Sequence, residues 1–323
     1  MKASIIIPLK NGGDIFKQVL SSVLLQKLDA PFEVIVIDSG SKDGSVEYLN
    51  NIMKNHNNIR LYEIKPYEFG HGKTRNYGAS LSKGEFLVFI TQDALPANEF
   101  WLEEMIKPFS LDENIQGVFG KHLPYEDCDI FEKNNLYTHF NNFGKGIVVY
   151  KIEDKARYDS DEGYRHLLCF YSDNSSAMRK CIWDKYPYDD VDFAEDQIWA
   201  KRIIELGYFK AYNENAIVFH SHNYSFKEML MRSFDDHNGL YKIYGYKSVK
   251  NIFYLPIYII KHTINDMRFL KTKKLSNKEK LYWSYFSLIK NTVKYTGAYF
   301  GPKGTNNKLI TKLFSRELTL RNK

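Results

Sequence analysis

A glycine-rich, basic segment followed by a strand that ends in a carboxylate is the part of this sequence best suited to chemistry. Residues 69–76 read FGHGKTRN, and Asp93 follows the apolar run 86–90. Glycines let a backbone approach a phosphate closely, and a helix N-terminus favours negative charge. Lys73 and Arg75 add positive charge, and Asp93 could hold a divalent cation against the same phosphates. Together these residue types predict a site for a nucleotide diphosphate.

The elements that must position these residues alternate between apolar runs and helical segments. The apolar runs are residues 4–9, 32–38, 59–64 and 86–91, and the segments with helical spacing are residues 14–25, 44–53 and 73–81. This alternation predicts a parallel sheet, in which ligands bind beyond the carboxyl ends of the strands. Polar clusters at 10–12, 38–41 and 91–93 follow three of the runs. We therefore expect them to meet in one crevice.

The middle of the chain is less regular. Residues 144–165 are polar and are predicted to form a mobile loop, and residues 192–206 are predicted to form a helix with an acidic first turn. Strands are expected near Ala211 and over 216–219, directly before the histidines of His220-Ser221-His222. From residue 225 onward the pattern is helical. These patterns predict an α/β domain over residues 1–224, which carries the predicted nucleotide-diphosphate site, and a helical region over residues 225–323.

Composition fits an ordinary globular chain of 323 residues, with 44% hydrophobic and 26% charged residues. The three cysteines, Cys128, Cys169 and Cys181, lack the spacing of a disulfide framework or a zinc site, which favours a reducing compartment. The sequence enters an apolar strand at once, so we expect no signal peptide. Its apolar runs fall short of the roughly 18 residues that a membrane span requires.

Positive charge is concentrated in the last part of the chain. Residues 261–323 contain 15 Lys/Arg and three acids, a net charge of +12; since the whole chain carries +6, residues 1–260 carry −6. Basic residues beside aromatic and apolar patches, as in 252–260 and 281–288, suit a helix that lies on an anionic membrane surface. They also suit a helical homodimer contact. A nucleic-acid partner is not expected, because no recognition motif accompanies the charge and the body is acidic.

The motifs taken in order resemble the inverting glycosyltransferases of family two, and among them bacterial polysaccharide rhamnosyltransferases. The matching segments are SIIIP at 4–8, VIVIDSGSKDGS at 34–45, FGHGKTRN at 69–76, TQDA at 91–94 and AED at 194–196. This resemblance implies a GT-A, Rossmann-like and mostly parallel sheet flanked by helices, with a C-terminal helical extension. It also implies an enzyme that transfers a sugar, L-rhamnose from dTDP-β-L-rhamnose, to a lipid-linked polysaccharide intermediate. Such an enzyme would work in cell-wall or capsule assembly, on the cytoplasmic face of the plasma membrane.

The resemblance also implies roles at the donor site. Pro8 and Asp38 would line the nucleobase pocket, and Arg75, with Lys73, would face the diphosphate. Asp93 would ligate Mg²⁺ or Mn²⁺, and Gln92 stands beside the donor where relatives carry a further acid. Asp196 would be the catalytic base, and His220 or His222 would complete the metal site.

Four further residues are candidates with two interpretations each. His71 either touches the diphosphate or caps its loop, and Asn174 either contacts donor sugar or acceptor or forms a turn. Trp199, three residues after Asp196, either stacks on a sugar or packs in the core. Glu195 either faces the acceptor or stabilises the start of its helix.

Competing functions remain open at this point. A family-two enzyme with a UDP-hexose donor would share all of these motifs. A non-catalytic sugar-nucleotide-binding homologue is favoured by Gln92, because the usual pair of acids is absent there. A nucleotidyltransferase would carry its glycine-rich loop directly after the first strand, where this chain has LKNGG at 9–13.

Overall fold

The chain divides into two compact units at the junction between His222 and Asn223. The computed structural model describes residues 1–191 and 194–321. Asp192, the first residue of the helix predicted over 192–206, lies outside the described residues. The junction falls two residues before the domain boundary expected from the sequence.

A mixed nine-stranded sheet forms the centre of the first unit, as far as the described residues show. Its strands are β1 Ala3–Leu9, β2 Phe32–Asp38, β3 Ile59–Glu63, β4 Phe86–Ile90, β5 Leu95–Pro96, β6 Ile115–Leu123, β7 Ile147–Tyr150, β8 Ser175–Arg179 and β9 Phe209–Phe219. They are ordered β3-β2-β1-β4-β8-β6-β9-β5, with β7 paired to β9.

The first half of this sheet is the parallel one predicted from the sequence. β1 pairs in parallel with β2 and β4, and β2 pairs in parallel with β3. Beyond β4 the sheet becomes mixed, because β8 runs antiparallel to both β4 and β6. The carboxyl ends of β1, β2 and β4 therefore meet at one edge, as expected for the three polar clusters that follow them.

Helices cover the sheet and their amphipathic patterns explain why. In the first unit they are α1 Gly13–Leu24, α2 Ser45–Met53, α3 His71–Ser80, α4 Trp101–Ile106, α5 Ile130–Asn141, α6 Lys155–Ser160, α7 Glu162–Cys169, α8 Lys180–Lys185 and α9 Glu195–Glu205. In α1, for example, Phe16, Val19, Leu20 and Val23 are spaced to form one buried face. That face joins the main core of the unit, which the strand residues of β1, β2 and β4 share.

Residues 144–165 are structured, so the prediction of a mobile loop there is wrong. β7 forms because its apolar residues pair antiparallel with β9. The polar residues that suggested a loop are helix caps: Asp154 accepts from the backbone of α6, and Asp161 accepts from the backbone of α7. The two strands predicted near Ala211 and over 216–219 are likewise one continuous strand, β9.

The second unit is helical. Its helices are α10 Phe226–Tyr244, α11 Leu255–Lys271, α12 Asn277–Gly304, α13 Lys308–Phe314 and α14 Arg316–Arg321, with a 3-10 turn at Ile252–Tyr254. Capping boxes begin α10 at Ser225 and α12 at Ser276. A Cβ on Gly297 would lie 2.5 Å from the Leu230 carbonyl oxygen, so glycine permits the close packing of α12 on α10. Judged by length and hydropathy, none of the helices in the described residues could cross a bilayer.

Candidate active site

Asp93, His220 and His222 bring three potential metal ligands together. Asp93 follows β4 and the two histidines follow β9, so the ends of two strands supply the cluster. Nε2 of His220 lies 3.6 Å from Oδ1 of Asp93, and Nε2 of His222 lies 3.6 Å from Oδ2. The Tyr125 hydroxyl donates to the Asp93 carbonyl oxygen at 2.9 Å, which anchors the backbone of this residue.

The donor set fits a small divalent cation. The three ligand atoms all lie within 4.8 Å of one another. Ligand atoms held at about 2.1 Å from one ion lie roughly 3.0–4.2 Å apart, so both carboxylate–imidazole separations already suit coordination. One carboxylate and two imidazoles leave further coordination positions for the oxygens of a diphosphate. Carboxylate and phosphate oxygens suit Mg²⁺ and Mn²⁺, and imidazole suits the transition metal better.

Asn174 holds the other side of the His220 ring. Its amide nitrogen lies 3.3 Å from Nδ1 of His220. With the nitrogen facing the ring, Nδ1 accepts and the ring proton sits on Nε2, toward Asp93. With the amide oxygen facing the ring, Nδ1 donates and the Nε2 lone pair is free to bind a cation. The orientation of the Asn174 amide therefore selects between two states of this histidine.

A buried ionic group lies beside this cluster. Arg75, on α3, pairs through Nη1 with Glu195 Oε1 at 2.5 Å and through Nε with Asp173 Oδ2 at 3.2 Å. All three residues are less than 5% exposed. Asp173 also accepts hydrogen bonds from Ser176 and from the Tyr188 hydroxyl. These donors and the guanidinium favour the ionised form of Asp173, against the burial that raises its pKa.

Asp196 is the carboxylate of this group that lacks a direct cation. Its Oδ2 accepts from the backbone nitrogen of Asp173 at 3.2 Å, and its Oδ1 accepts from that of Gln197 at 2.7 Å. Burial, and then the negative charges of Glu195 and Asp173, hold the pKa of Asp196 well above its ordinary value. A carboxylate with a raised pKa binds a proton more strongly, which suits a general base.

Consecutive residues connect the two groups. Asp173 touches Asp196, and its neighbour Asn174 touches His220. Adjacent Cα atoms lie about 3.8 Å apart, so the turn before β8 holds Asp196 and the candidate metal-ligand cluster side by side. One edge of the sheet thus places three candidate metal ligands next to a carboxylate with a raised pKa, the kinds of group that a transfer from a diphosphate requires.

Comparison with known proteins identifies this arrangement. The family described as Glycosyl transferase family 2 matches residues 4–180, more than half of the chain. The chain belongs to glycosyltransferase family 2. The matched region holds Asp93, Asp173 and Asn174, whereas Asp196 and the two histidines follow it.

Relatives with assigned activities support the same conclusion. Over 243 residues the chain is 34% identical to the O-antigen chain rhamnosyltransferase RfbN of Salmonella typhimurium, covering 73% of this chain and 71% of that protein. It is 33% identical to the O-antigen chain rhamnosyltransferase WbaN of Salmonella anatum over 237 residues, covering 72% and 70%. This protein is therefore a glycosyltransferase.

Solved structures show that the fold is GT-A. A mannosyltransferase from Pyrobaculum calidifontis, solved with GDP-Man and Mn²⁺, gives a TM-score of 0.59 at 15% identity, covering 95% of this chain and 87% of that one. TarS residues 1–349 from S. aureus, solved with UDP-GlcNAc, give a TM-score of 0.55 at 15% identity, covering 93% and 91%. The α/β fold expected from the sequence is confirmed.

Arg75 does not occupy the position predicted for it in this glycosyltransferase. Its guanidinium is enclosed by Asp173 and Glu195 and is 4% exposed, so it is not presented to a diphosphate. The pairing also places Glu195 in the interior, and its contact with an acceptor stays a prediction. A buried cation requires buried counter-charge, and the two acids provide it.

The glycine-rich segment serves packing as well. A Cβ on Gly72 would lie 2.6 Å from the carbonyl oxygen of Asp189, so only glycine lets α3 begin here. His71 is the first residue of α3 and contacts the Phe69 ring edge-on at 5.2 Å. Lys73 is exposed and lines a cleft of about 370 Å³ with Glu63, Ile64, Glu68, Thr74 and Tyr77. Its predicted contact with a diphosphate stays a prediction.

The ends of β1, β2 and β4 are tied together by side-chain amides and carboxylates. Gln92 accepts from the Lys10 nitrogen at 2.7 Å and donates to the Lys10 carbonyl oxygen at 3.1 Å. An acid at position 92 could not donate that second bond, which gives the amide a structural reason. Asp38 is 1% exposed and accepts from the backbone of Gly40 and from Ser41. Its carboxylate organises the loop, while a nucleobase contact at Asp38 or Pro8 stays a prediction.

Trp199 is a core residue, which favours the second of its two interpretations, packing in the core, over stacking on a sugar. It is 1% exposed, its indole nitrogen donates to the Tyr186 carbonyl oxygen, and its ring packs against Tyr171 and Tyr188. Gly117 makes room for the ring, because a Cβ there would lie 2.8 Å from it.

Sequence reasoning missed Asp173 and Lys10. Asp173 directly precedes the Asn174-Ser175-Ser176 segment, but an isolated acid before a strand resembles any turn residue. Lys10 donates through Nζ to the carbonyl oxygens of Ser39 and Gly40, which joins the β1 and β2 loops. The need of a buried Arg75 for counter-charge is the signal that would have pointed to Asp173.

Substitutions of Asn174 should change metal affinity through His220. Asn174→Asp offers only acceptor oxygens to Nδ1, which favours the Nδ1–H form of His220 and frees Nε2. We expect it to bind Mn²⁺ more tightly than Asn174→Leu, by about 10–100-fold, the usual weight of such supporting contacts. Calorimetric titration with Mn²⁺ alone measures the difference. Equal affinities for the two variants would show that Asn174 does not control the histidine.

Proposed function

We propose that this family 2 glycosyltransferase transfers L-rhamnose from dTDP-β-L-rhamnose to a hydroxyl of a lipid-linked polysaccharide intermediate, with inversion. The observation that carries the proposal is the 34% identity to an O-antigen chain rhamnosyltransferase over most of both chains. A second relative of the same kind, at 33% identity, supports the same sugar. We place the reaction at the cytoplasmic face of a membrane, where a lipid-linked acceptor would be available.

Asp196 is the proposed catalytic base. Its carboxylate removes the proton of the acceptor hydroxyl as that oxygen attacks the anomeric carbon, and the bond from this carbon to the diphosphate oxygen breaks on the opposite face. Inversion of a β-L-rhamnosyl donor gives an α-rhamnoside. The raised pKa of Asp196 makes the carboxylate a stronger proton acceptor than an exposed aspartate.

Asp93, with His220 and His222, would hold Mg²⁺ or Mn²⁺. Such an ion neutralises the charge that develops on the leaving diphosphate. The exposed Lys73 ammonium is the side chain proposed to add positive charge on the donor side, because Arg75 is already paired in the interior. Gln92 keeps the loop that carries Asp93 attached to β1.

A hexose donor is the alternative with an observation of its own. The chain is 33% identical to a poly(ribitol-phosphate) beta-glucosyltransferase of Bacillus spizizenii, although over only 43% of this chain and 24% of that protein. The shorter coverage makes this a weaker guide than the rhamnosyltransferases. Calorimetric titration with both kinds of donor decides between them.

Calorimetric titration of a donor panel with Mn²⁺ present tests the proposal. The panel contains dTDP-rhamnose, dTDP-glucose, UDP-glucose, UDP-galactose and GDP-mannose. We expect selective binding of dTDP-rhamnose, and at least about a tenfold loss of affinity, ~1.4 kcal/mol, in Asp93→Ala because a cation ligand is removed. Preference for a UDP-sugar would replace rhamnose by a hexose, and binding of no donor would favour a non-catalytic homologue.

Asp14→Ala is the matched control for Asp93→Ala. Asp14 lies in the first turn of α1 and its side chain is 88% exposed, paired only with the neighbouring Lys17 among the ion pairs of the described residues. Its removal should leave donor affinity and Mn²⁺ affinity unchanged. A similar loss in both variants would indicate a general effect of charge and not a cation site.

A further inference from the structure

One side of α11 is apolar and exposed. Ile257, Ile260, Ile264 and Met267 follow one another at spacings of three and four residues, so they lie on one side of the helix. They are 57%, 57%, 43% and 39% exposed, and Phe253, in the turn before the helix, is 81% exposed. We call these five residues the α11 face.

This exposure is not a sign of a loosely packed helix. The opposite side of α11 packs on α12, where Tyr258 and His262 contact the Tyr295 ring. Asn291 of α12 donates to the Thr263 hydroxyl within the same contact. One side of the helix therefore packs inside the unit, and a second, apolar side faces solvent.

The start of α12 also exposes apolar side chains. Its exposed apolar side chains are Leu281, Tyr282, Tyr285 and Leu288. Single exposed apolar residues are common on soluble proteins, but contiguous groups of this size mark contact sites. Tyrosine, with an apolar ring and a polar hydroxyl, suits a boundary between an apolar layer and water.

Positive charge is concentrated in the same segment of the chain. Residues 250–280 contain eight Lys/Arg and two acids, a net charge of +6. Both acids are engaged within the unit: Asp266 pairs with Lys290 at 3.1 Å, and Glu279 accepts from Ser276 at the start of α12. Lys271, Lys273 and Lys274, all exposed, follow directly after the apolar side of α11.

Charge distinguishes a lipid bilayer from a second copy of the chain as the partner of the α11 face. In a symmetric dimer the same patch meets itself, so two segments of charge +6 would be brought together at a cost. An anionic bilayer accepts both features, because apolar side chains enter the headgroup boundary while lysines meet lipid phosphates. A nucleic acid would satisfy the lysines and leave the isoleucines exposed.

We propose that the α11 face and its flanking lysines bind an anionic lipid bilayer. This inference rests on the proposed membrane location of the reaction, but not on the identity of the donor. It specifies the surface of the second unit that makes the contact: an apolar strip formed by the α11 face, bordered by Lys271, Lys273 and Lys274.

Co-sedimentation of the full chain with vesicles tests the proposal. The vesicles contain phosphatidylcholine alone or phosphatidylcholine mixed with phosphatidylglycerol. We expect binding to the mixed vesicles only, weakened by salt. Lys271→Gln, Lys273→Gln and Lys274→Gln combined should lower the partition coefficient about 100-fold, because each charge contributes about fivefold. Ile257→Ser, Ile260→Ser and Ile264→Ser combined should lower it by at least about tenfold.

A matched triple variant separates the α11 face from general surface polarity. Leu25→Ser, Leu111→Ser and Leu206→Ser replace three leucines of the first unit that are 71%, 59% and 49% exposed, and should leave vesicle binding unchanged. Equal binding by the isoleucine and leucine triple variants would overturn the proposal. So would a lack of preference for anionic vesicles, or a dimer in sedimentation equilibrium that the isoleucine variant dissociates.

Donor calorimetry on the same variants keeps this inference distinct from the proposed function. The isoleucine and lysine variants should bind the donor with unchanged affinity, since neither alters the first unit. Vesicle binding without any donor binding would leave the membrane surface standing and remove the proposed transferase reaction. Donor binding without vesicle binding would leave the proposed transferase reaction standing and remove the membrane surface.

Discussion

Asp196→Asn is expected to lower kcat for sugar transfer by about 10²–10⁴-fold, the usual contribution of a positioned general base. Asparagine keeps the size of the side chain and can still accept one of the two backbone hydrogen bonds that Asp196 accepts. It cannot take a proton from the acceptor hydroxyl. Donor affinity and Mn²⁺ affinity should change little, because the ligand cluster lies on other residues. Steady-state transfer assays beside calorimetry measure both.

The pH profile distinguishes a base from a binding residue. The base must be ionised to act, and burial raises the pKa of Asp196, so kcat/KM should rise with pH through a pKa above the ordinary range of aspartate. This rise should be absent in Asp196→Asn. Asp159→Asn, an exposed acid on α6, is the control that should keep both rate and profile. A full rate in Asp196→Asn would assign the base elsewhere.

The parallel half of the fold could be predicted because its signals are local. β1, β2 and β4 are mostly apolar runs, and segments with helical spacing separate them. The antiparallel half could not, since β8 joins the sheet between β4 and β6 by pairing with residues far away in sequence. β7 shows the same limit: four residues inside a polar segment become a strand only because β9 offers an edge.

The same distinction between local and long-range signals applies to the residues of the site. Asp93 and His220 end apolar runs, so their position at the rim of the sheet follows from the sequence. The sequence predicts that Arg75 faces a diphosphate, but its partners are buried acids. A basic residue beside glycines has the same pattern in both cases. Only the fold brings Glu195, 120 residues later, against its guanidinium.

The ionic group of Arg75, Asp173 and Glu195 affects both the stability of the fold and the environment of Asp196. Asp173 supports Asp196 through its backbone nitrogen and is itself neutralised by Arg75. Three acids therefore share one cation. Burial raises the pKa of both Asp173 and Asp196, and the rise is larger at Asp196, which has no direct contact with that cation. Burial, and then the charges of Glu195 and Asp173, thus make Asp196 a stronger proton acceptor, while Arg75 neutralises its two partner acids.

Arg75→Met should be the most destabilising of these substitutions, lowering the free energy of unfolding by about 3–5 kcal/mol. Methionine fills much of the space but leaves Asp173 and Glu195, both buried, without their cation. Their protonation would relieve the repulsion. The pKa values of these acids should rise in the folded state, so the folded protein binds more protons than the unfolded chain, and stability falls as pH rises. Urea unfolding at pH 5 and pH 8 should show the larger loss at pH 8.

Arg202→Met is the matched control for this experiment. Arg202 makes the same kind of pair with Asp189 at 2.6 Å, but its side chain is 34% exposed and that of Asp189 is 40% exposed. Water can solvate the carboxylate that remains, so the expected loss is below about 1 kcal/mol and depends little on pH. Equal losses in the two variants would mean that burial of the Arg75 group carries no special cost. A loss confined to Arg75→Met and growing with pH would show that this arginine neutralises the two buried acids beside Asp196, the proposed base.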